Sequence, residues 1–110
     1  MLDNQGAQRT GDVFHAIADA NRRRILDLLA TQERSVQELV PHLDVTFGAV
    51  SQHLKVLFDS GLVSRRKDGR KRYYRVEAEG LREVHEWTER YRANWEERLD
   101  ALGRHLDQDR

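Results

Sequence analysis

Between Thr46 and Val76 a helical run gives way to a charged hairpin, and few folds accept that succession. Thr46 suits a helix N-cap, because its hydroxyl accepts one of the amide hydrogens that a first turn leaves unpaired. Val50, Leu54 and Leu57 recur at helical spacing, so one face is apolar and turns inward. Ser51, Gln52 and Lys55 fall on the other faces and are not core residues by preference. After Gly61, which suits a left-handed turn at a helix end, two extended runs flank Asp68-Gly69, a strong short-range hairpin signal. Arg65, Arg66, Lys67, Arg70, Lys71, Arg72 and Arg75 crowd those runs. Taken singly, the helix reads as a solvated amphipathic helix and the hairpin as a solvated strand pair. Joined, they predict a winged helix-turn-helix, with the helix in a DNA major groove and the wing on the phosphates.

The overall charge hides this. Nineteen Lys/Arg balance nineteen Asp/Glu, for a net charge of zero. Residues 46–76 carry eight Lys/Arg against two Asp, a local +6. Residues 77–110 carry six Arg against ten acids, a local −4, and residues 1–45 a local −2. A segregated basic patch, not the total, is what phosphate binding requires. The 110 residues are one domain's worth, 35% charged and 38% hydrophobic, so the core is small and its burial suits completion by dimerisation. No cysteine is present, which excludes disulfides and thiolate metal sites within this chain. No apolar leader or membrane-length run occurs, and a cytoplasmic location is expected.

Taken in order, residues 1–11 are polar and aperiodic, an expected flexible arm. Val13, Phe14, Ile17 and Ala18 predict a short helix, and Asp19 caps the next, whose inward residues are Ile25, Leu26, Leu28 and Leu29. Arg22, Arg23 and Arg24 sit oddly at the positive end of that helix dipole. Phosphate contact and plain solvated or salt-bridged arginines both remain open. Ser35 with Glu38 forms a capping box for a third helix, which carries Leu39, Val40 and Leu43 and which Pro41 shortens or bends. Residues 12–76 are thus the expected DNA-binding core.

Residues 77–110 are expected to be a long C-terminal helix. Leu81, Val84, Trp87, Tyr91, Trp95, Leu99, Leu102 and Leu106 step by three or four along one stripe. One small domain has no core long enough to cover it, whereas two such helices about a twofold axis do. The expected dimer interface is Val13, Phe14 and Ile17 with Val84, Trp87, Tyr91, Trp95, Leu99 and Leu102. Folding back onto its own domain is the other reading of the stripe. A hydrophobic ligand at Trp87, Tyr91 and Trp95 is a further one.

The segments Ala20–Leu29, Ala49–Leu57, Gly61–Val63 and Gly69–Val76 resemble the ArsR family of bacterial transcriptional regulators, chiefly through Val50-Ser51-Gln52-His53-Leu54. The tail 87–99 looks like the branch whose genes often neighbour small SRPBCC-type proteins. The resemblance implies a homodimer that binds an imperfect palindrome and represses its own operon. It places base contacts on Thr46, Phe47, Ser51, Gln52 and His53; the charge pattern itself offers Lys55, Arg66, Lys67, Arg70, Lys71 and Arg72 for the phosphates. Phe47-Gly48 departs from the polar and proline residues common there, and a phenylalanine suits a thymine methyl.

Many members of that family respond to metals. Their cysteine segment falls here on 38–43, with Val40 and His42 where thiolates are needed. A second, inter-subunit site would draw on Glu83, His85 and Glu96, but its last ligand position falls on Leu99, and zinc requires four donors. No metal or other cofactor is therefore expected. A metal-responsive repressor using the C-terminal helices, and a winged-helix protein-interaction module, are the alternatives. An enzyme is not expected, since no nucleophile–base set, phosphate loop or paired acids stand out.

Overall fold

A computed structural model describes residues 11–108, and the side chains of residues 11–106. Apart from Gly11, the N-terminal arm predicted for residues 1–11 lies outside the described residues. The element order is α1 (Val13–Ile17), α2 (Ala20–Thr31), β1 (Arg34–Ser35), α3 (Val36–Leu39), α4 (Phe47–Asp59), β2 (Val63–Asp68), β3 (Lys71–Val76) and α5 (Arg82–Gln108). Short 3-10 turns at Val40–His42 and Ala78–Leu81 follow α3 and precede α5. The expected class holds: mainly α, with a β-hairpin wing and a long C-terminal helix.

The helix starts lie where the side chains can cap them. Asp19 accepts from the amides of Asn21 and Arg22, and Thr46 from that of Ala49. Both halves of the capping box form at α3, Glu38 N–H to Ser35 Oγ and Ser35 N–H to Glu38 Oε1. Pro41 falls in the 3-10 turn, so α3 ends after one turn. The end of α4 is a Schellman motif: Leu62 N–H donates to Leu57 O at 2.9 Å and Gly61 N–H to Phe58 O at 3.0 Å. Gly61 sits at φ 78°, a conformation that glycine adopts without strain.

Val13, Ala16, Ile25, Leu29, Leu39, Val50, Leu54, Leu57, Leu62 and Val63 form the buried centre. Leu54 is fully covered, so its truncation to alanine would cost about 2–5 kcal/mol. Leu28, Val40 and Leu43, expected inside, are only partly buried at the margin. Val13, placed by the sequence in the dimer interface, is 1% exposed and covered by its own domain. It anchors α1 and has no surface left for a partner.

The sheet has a third strand that the sequence did not signal. Its order is β1-β3-β2, all antiparallel, with Arg34 opposite Tyr74 and Ser35 opposite Tyr73. A two-residue strand has no periodicity to read, and Ser35 serves the ladder and the α3 cap together. The hairpin turn is also displaced by one residue from Asp68-Gly69. Asp68 pairs with Lys71, leaving Gly69 and Arg70 as the two loop residues. Only Gly69 has positive φ, at 65°, so the turn has glycine first, as in type II′.

Candidate nucleic-acid interface

Helix α4 buries Val50, Leu54, Leu57 and Phe58 and exposes Thr46, Phe47, Ser51, Gln52 and Lys55 on its outer side. Phe47 is 53% exposed, unusual for a large apolar side chain outside a contact surface. Lys55 reaches Asp59 at 2.9 Å one turn on. The pair is solvent-exposed, so it gives way readily to a phosphate. His53 differs from its neighbours. It is half-buried, with Nδ1 3.3 Å from Arg22 Nη1.

The wing cations divide into two groups. Arg65 and Arg66 stand on opposite faces of β2 and hold the wing to the domain. The guanidinium of Arg65 lies 4.0 Å over the Phe58 ring, whereas that of Arg66 lies 4.7 Å over Tyr73. Arg66 Nε is also 3.0 Å and 3.2 Å from the two carboxylate oxygens of Glu33, and its Nη2 contacts Oε1. That hydrogen bonding holds the Glu33 carboxyl below its ordinary value. Arg66, expected on the phosphates, is thus occupied within the domain. Lys67, Arg70, Lys71 and Arg72 are exposed at the tip, and none pairs with a carboxylate among the described residues. Arg75 leans on Ser64 and Glu77.

Phe47, Ser51 and Lys55 of α4 face Arg70, Lys71 and Arg72 of the wing across an open cleft of about 720 Å³, floored by Phe58 and Tyr74. The start of α3, Ser35 to Gln37, lines one side. Thr46, Gln52, His53, Arg66 and Lys67 lie outside this lining, and Gln52 is exposed on α4 beyond it. The cleft joins polar side chains, aromatic rings and the tip cations Arg70, Lys71 and Arg72. A polyanion with flat base edges meets each of those groups.

Arg22 pairs with Asp19 at 4.0 Å, as the salt-bridged reading expected, and Arg22 and Arg23 have a further role that the sequence did not signal. Arg22 Nε donates to Ala16 O at 2.7 Å, its Nη2 to His15 O at 3.0 Å, and Arg23 Nη1 to Ile17 O at 2.7 Å. They satisfy the carbonyl end of α1, where a helix dipole favours cations. The odd placement at the start of α2 is resolved by the neighbouring helix. A spacing rule along one helix cannot signal this.

Residues 19–65, from the α2 cap into β2, match the family model of the bacterial regulatory proteins of the arsR family. The HTH-type transcriptional regulator Rv2034 of Mycobacterium tuberculosis is 36% identical over 94 residues, covering 86% of this chain and 85% of the relative. The chain belongs to the arsR family. A second relative, the HTH-type transcriptional regulator KmtR of the same organism, is 41% identical over 73 residues. That match covers 66% of this chain but only 56% of KmtR, so the chain spans about half of that protein. Among solved structures, a possible transcriptional regulator for arsenical resistance superposes with a TM-score of 0.71 at 39% identity, over 82% of this chain and 94% of that one. The wing tip and α5 lie outside the arsR family-model match.

In this arsR-family chain, α5 carries its apolar stripe into solvent. Trp87, Tyr91, Trp95, Leu99, Leu102 and Leu106 are each 47–58% exposed. Phe14 of α1 meets Trp87 edge-on at 5.6 Å, and Trp87 meets Tyr91 likewise at 5.6 Å. Ile17 and Val84 are partly buried beside them. The carboxylate and imidazole candidates for a metal do not converge within the chain. His85 Nε2 is 3.9 Å from Glu89, and Glu96 accepts from Arg92 at 3.1 Å. Among the described residues no three His, Asp or Glu side chains gather as a metal site. Val40 is half-buried and His42 exposed, and the two offer one imidazole and no thiolate to a thiophilic ion.

Proposed function

We propose that this chain is a sequence-specific, DNA-binding transcriptional repressor that works as a homodimer in the cytoplasm without sensing a metal. Residues 12–76 form its DNA-binding unit and residues 77–110 its dimerisation helix. The observation that carries this reading is the cleft where Phe47, Ser51 and Lys55 face Arg70, Lys71 and Arg72. Ser51, Gln52 and Thr46 supply hydrogen bonds to base edges, and Phe47 supplies an apolar surface for a thymine methyl. Lys55 and the tip cations Lys67, Arg70, Lys71 and Arg72 neutralise phosphates. Arg66 serves this interface indirectly, by holding the wing.

The uncovered α5 stripe supports pairing of two chains through Phe14, Ile17, Val84, Trp87, Tyr91, Trp95, Leu99 and Leu102. Two recognition helices then read successive major grooves about 34 Å apart on one face of an imperfect palindrome. The relatives' names include a mercury resistance operon repressor and an arsenical resistance operon repressor. Val40 and His42, in place of thiolates, support the absence of that response here.

Fluorescence anisotropy with the upstream region of the chain's own gene, a scrambled duplex of equal length and two salt concentrations tests the reading. Preference for the upstream duplex, unchanged by zinc, is expected. Equal binding to both duplexes sinks the sequence-specific role. Release on adding zinc restores Glu83, His85 and Glu96 as ligands.

A further inference from the structure

We infer that Arg22 is a positioning residue that fixes His53 as the Nε2–H tautomer and so makes it a hydrogen-bond donor to the DNA. This rests on the DNA-binding reading above. A guanidinium has donors only and stays protonated, so the Nδ1 that lies 3.3 Å from Arg22 Nη1 must accept. The ring proton is then on Nε2.

Arg22 is in no position to turn away. Its Nε and Nη2 are bonded to the α1 carbonyls of Ala16 and His15, Asp19 Oδ2 lies 4.0 Å from Nη1, and the side chain is 11% exposed. Arg22 and Asp19, both from the start of α2, are the charged groups that face the imidazole. No other hydrogen bond of the His53 ring occurs among the described residues. No buried side-chain nitrogen or oxygen among them lacks a partner, so the unpartnered Nε2 reaches the surface. His53 follows Gln52 in α4, the helix assigned to the DNA.

A donor there selects its partner. Guanine N7 and O6, adenine N7 and thymine O4 accept from it, whereas the amino groups of adenine and cytosine do not. With the opposite tautomer the preference would invert. Arg22, without touching the duplex, therefore determines what His53 reads.

The test has a part that needs no DNA. Nitrogen-15 NMR of the imidazole should show the Nε2–H form in the wild-type protein and a mixture in Arg22→Met. An Nδ1–H form in the wild type overturns the inference. In the binding part, the probes are the upstream duplex and its scrambled counterpart. His53→Gln places an amide donor near the Nε2 position and should stay within about threefold of wild type, while His53→Asn, which accepts from Arg22 but falls short of the DNA, should lose about tenfold on the upstream duplex alone. Equal binding by the two variants, or equal loss on both duplexes, overturns the donor role. Wild-type protein that binds neither duplex overturns the DNA reading itself, and the donor role with it, whatever the tautomer.

Discussion

Arg66 on β2 holds Glu33, 33 residues earlier in the loop between α2 and β1, through Nε and Nη2 together. The same guanidinium covers the Tyr73 ring across the hairpin. This arginine therefore ties the wing to the domain, as Arg65 does through Phe58. Glu33→Gln should loosen the wing, raising amide hydrogen exchange in β2 and β3 while α4 stays protected. It should leave the salt dependence of DNA binding unchanged if Arg66 serves the wing through Glu33 and not through a phosphate. A smaller salt slope in Glu33→Gln or Arg66→Gln would return Arg66 to the phosphates.

Neutralising Arg70, Lys71 and Arg72 to alanine together should weaken binding to all duplexes. The slope of log affinity against log salt should fall by up to roughly 2.7, at about 0.9 for each phosphate no longer neutralised. Anisotropy titrations at several salt concentrations measure it. An unchanged slope would remove the wing tip from the interface.

Gln52→Ala should cost about 1–3 kcal/mol on the upstream duplex, the span of one good base-edge hydrogen-bond pair. The scrambled duplex should be bound as before. Gln52 is exposed and away from the buried face of α4, so melting should also be unaffected. Equal losses on both duplexes would place Gln52 on the backbone instead.

Trp95→Glu with Leu99→Glu should halve the mass seen by sedimentation and remove tight binding to a two-half-site duplex. Both side chains are about half exposed on α5 and leave the domain core untouched. The helical signal of the DNA-binding unit should persist. A mass unchanged by the pair would refute α5 as the interface.

Acid should destabilise the fold through two carboxyls. Backbone hydrogen bonds from Arg22 and Asn21, Arg22 first, hold Asp19 below its ordinary 3.8, and the hydrogen bond from Arg66 holds Glu33 below 4.5. A carboxyl that is more acidic when folded contributes fully above its unfolded value, and the contribution is lost as pH falls through the folded one. Melting should therefore be flat near about pH 6 and fall below about pH 4. Asp19→Ala should lower stability by about 1 kcal/mol at neutral pH, the usual cost of an N-cap. It should also remove part of the acid dependence. An acid limb identical to wild type would discharge Asp19 from that role.

Much of what neighbours along the chain decide was legible before the structure, although the hairpin turn lies one residue later than Asp68-Gly69. The caps at Asp19, Ser35 and Thr46, the glycine end at Gly61, the inward stripe of α4 and the length of α5 are short-range. Each depends on residues within one or two helical turns. The basic wing and the apolar α5 stripe are likewise contiguous patterns. What only the tertiary structure decided is which cations remain free to bind. Arg65 and Arg66 read like the rest of the wing until Phe58 and Glu33 come to meet them. Arg22 read as a surface arginine until α1 presented its carbonyls and α4 its histidine. Val13 read as interface until its own domain covered it. A side chain's charge is written in the sequence, but its partner is chosen by the packing of segments far apart along the chain.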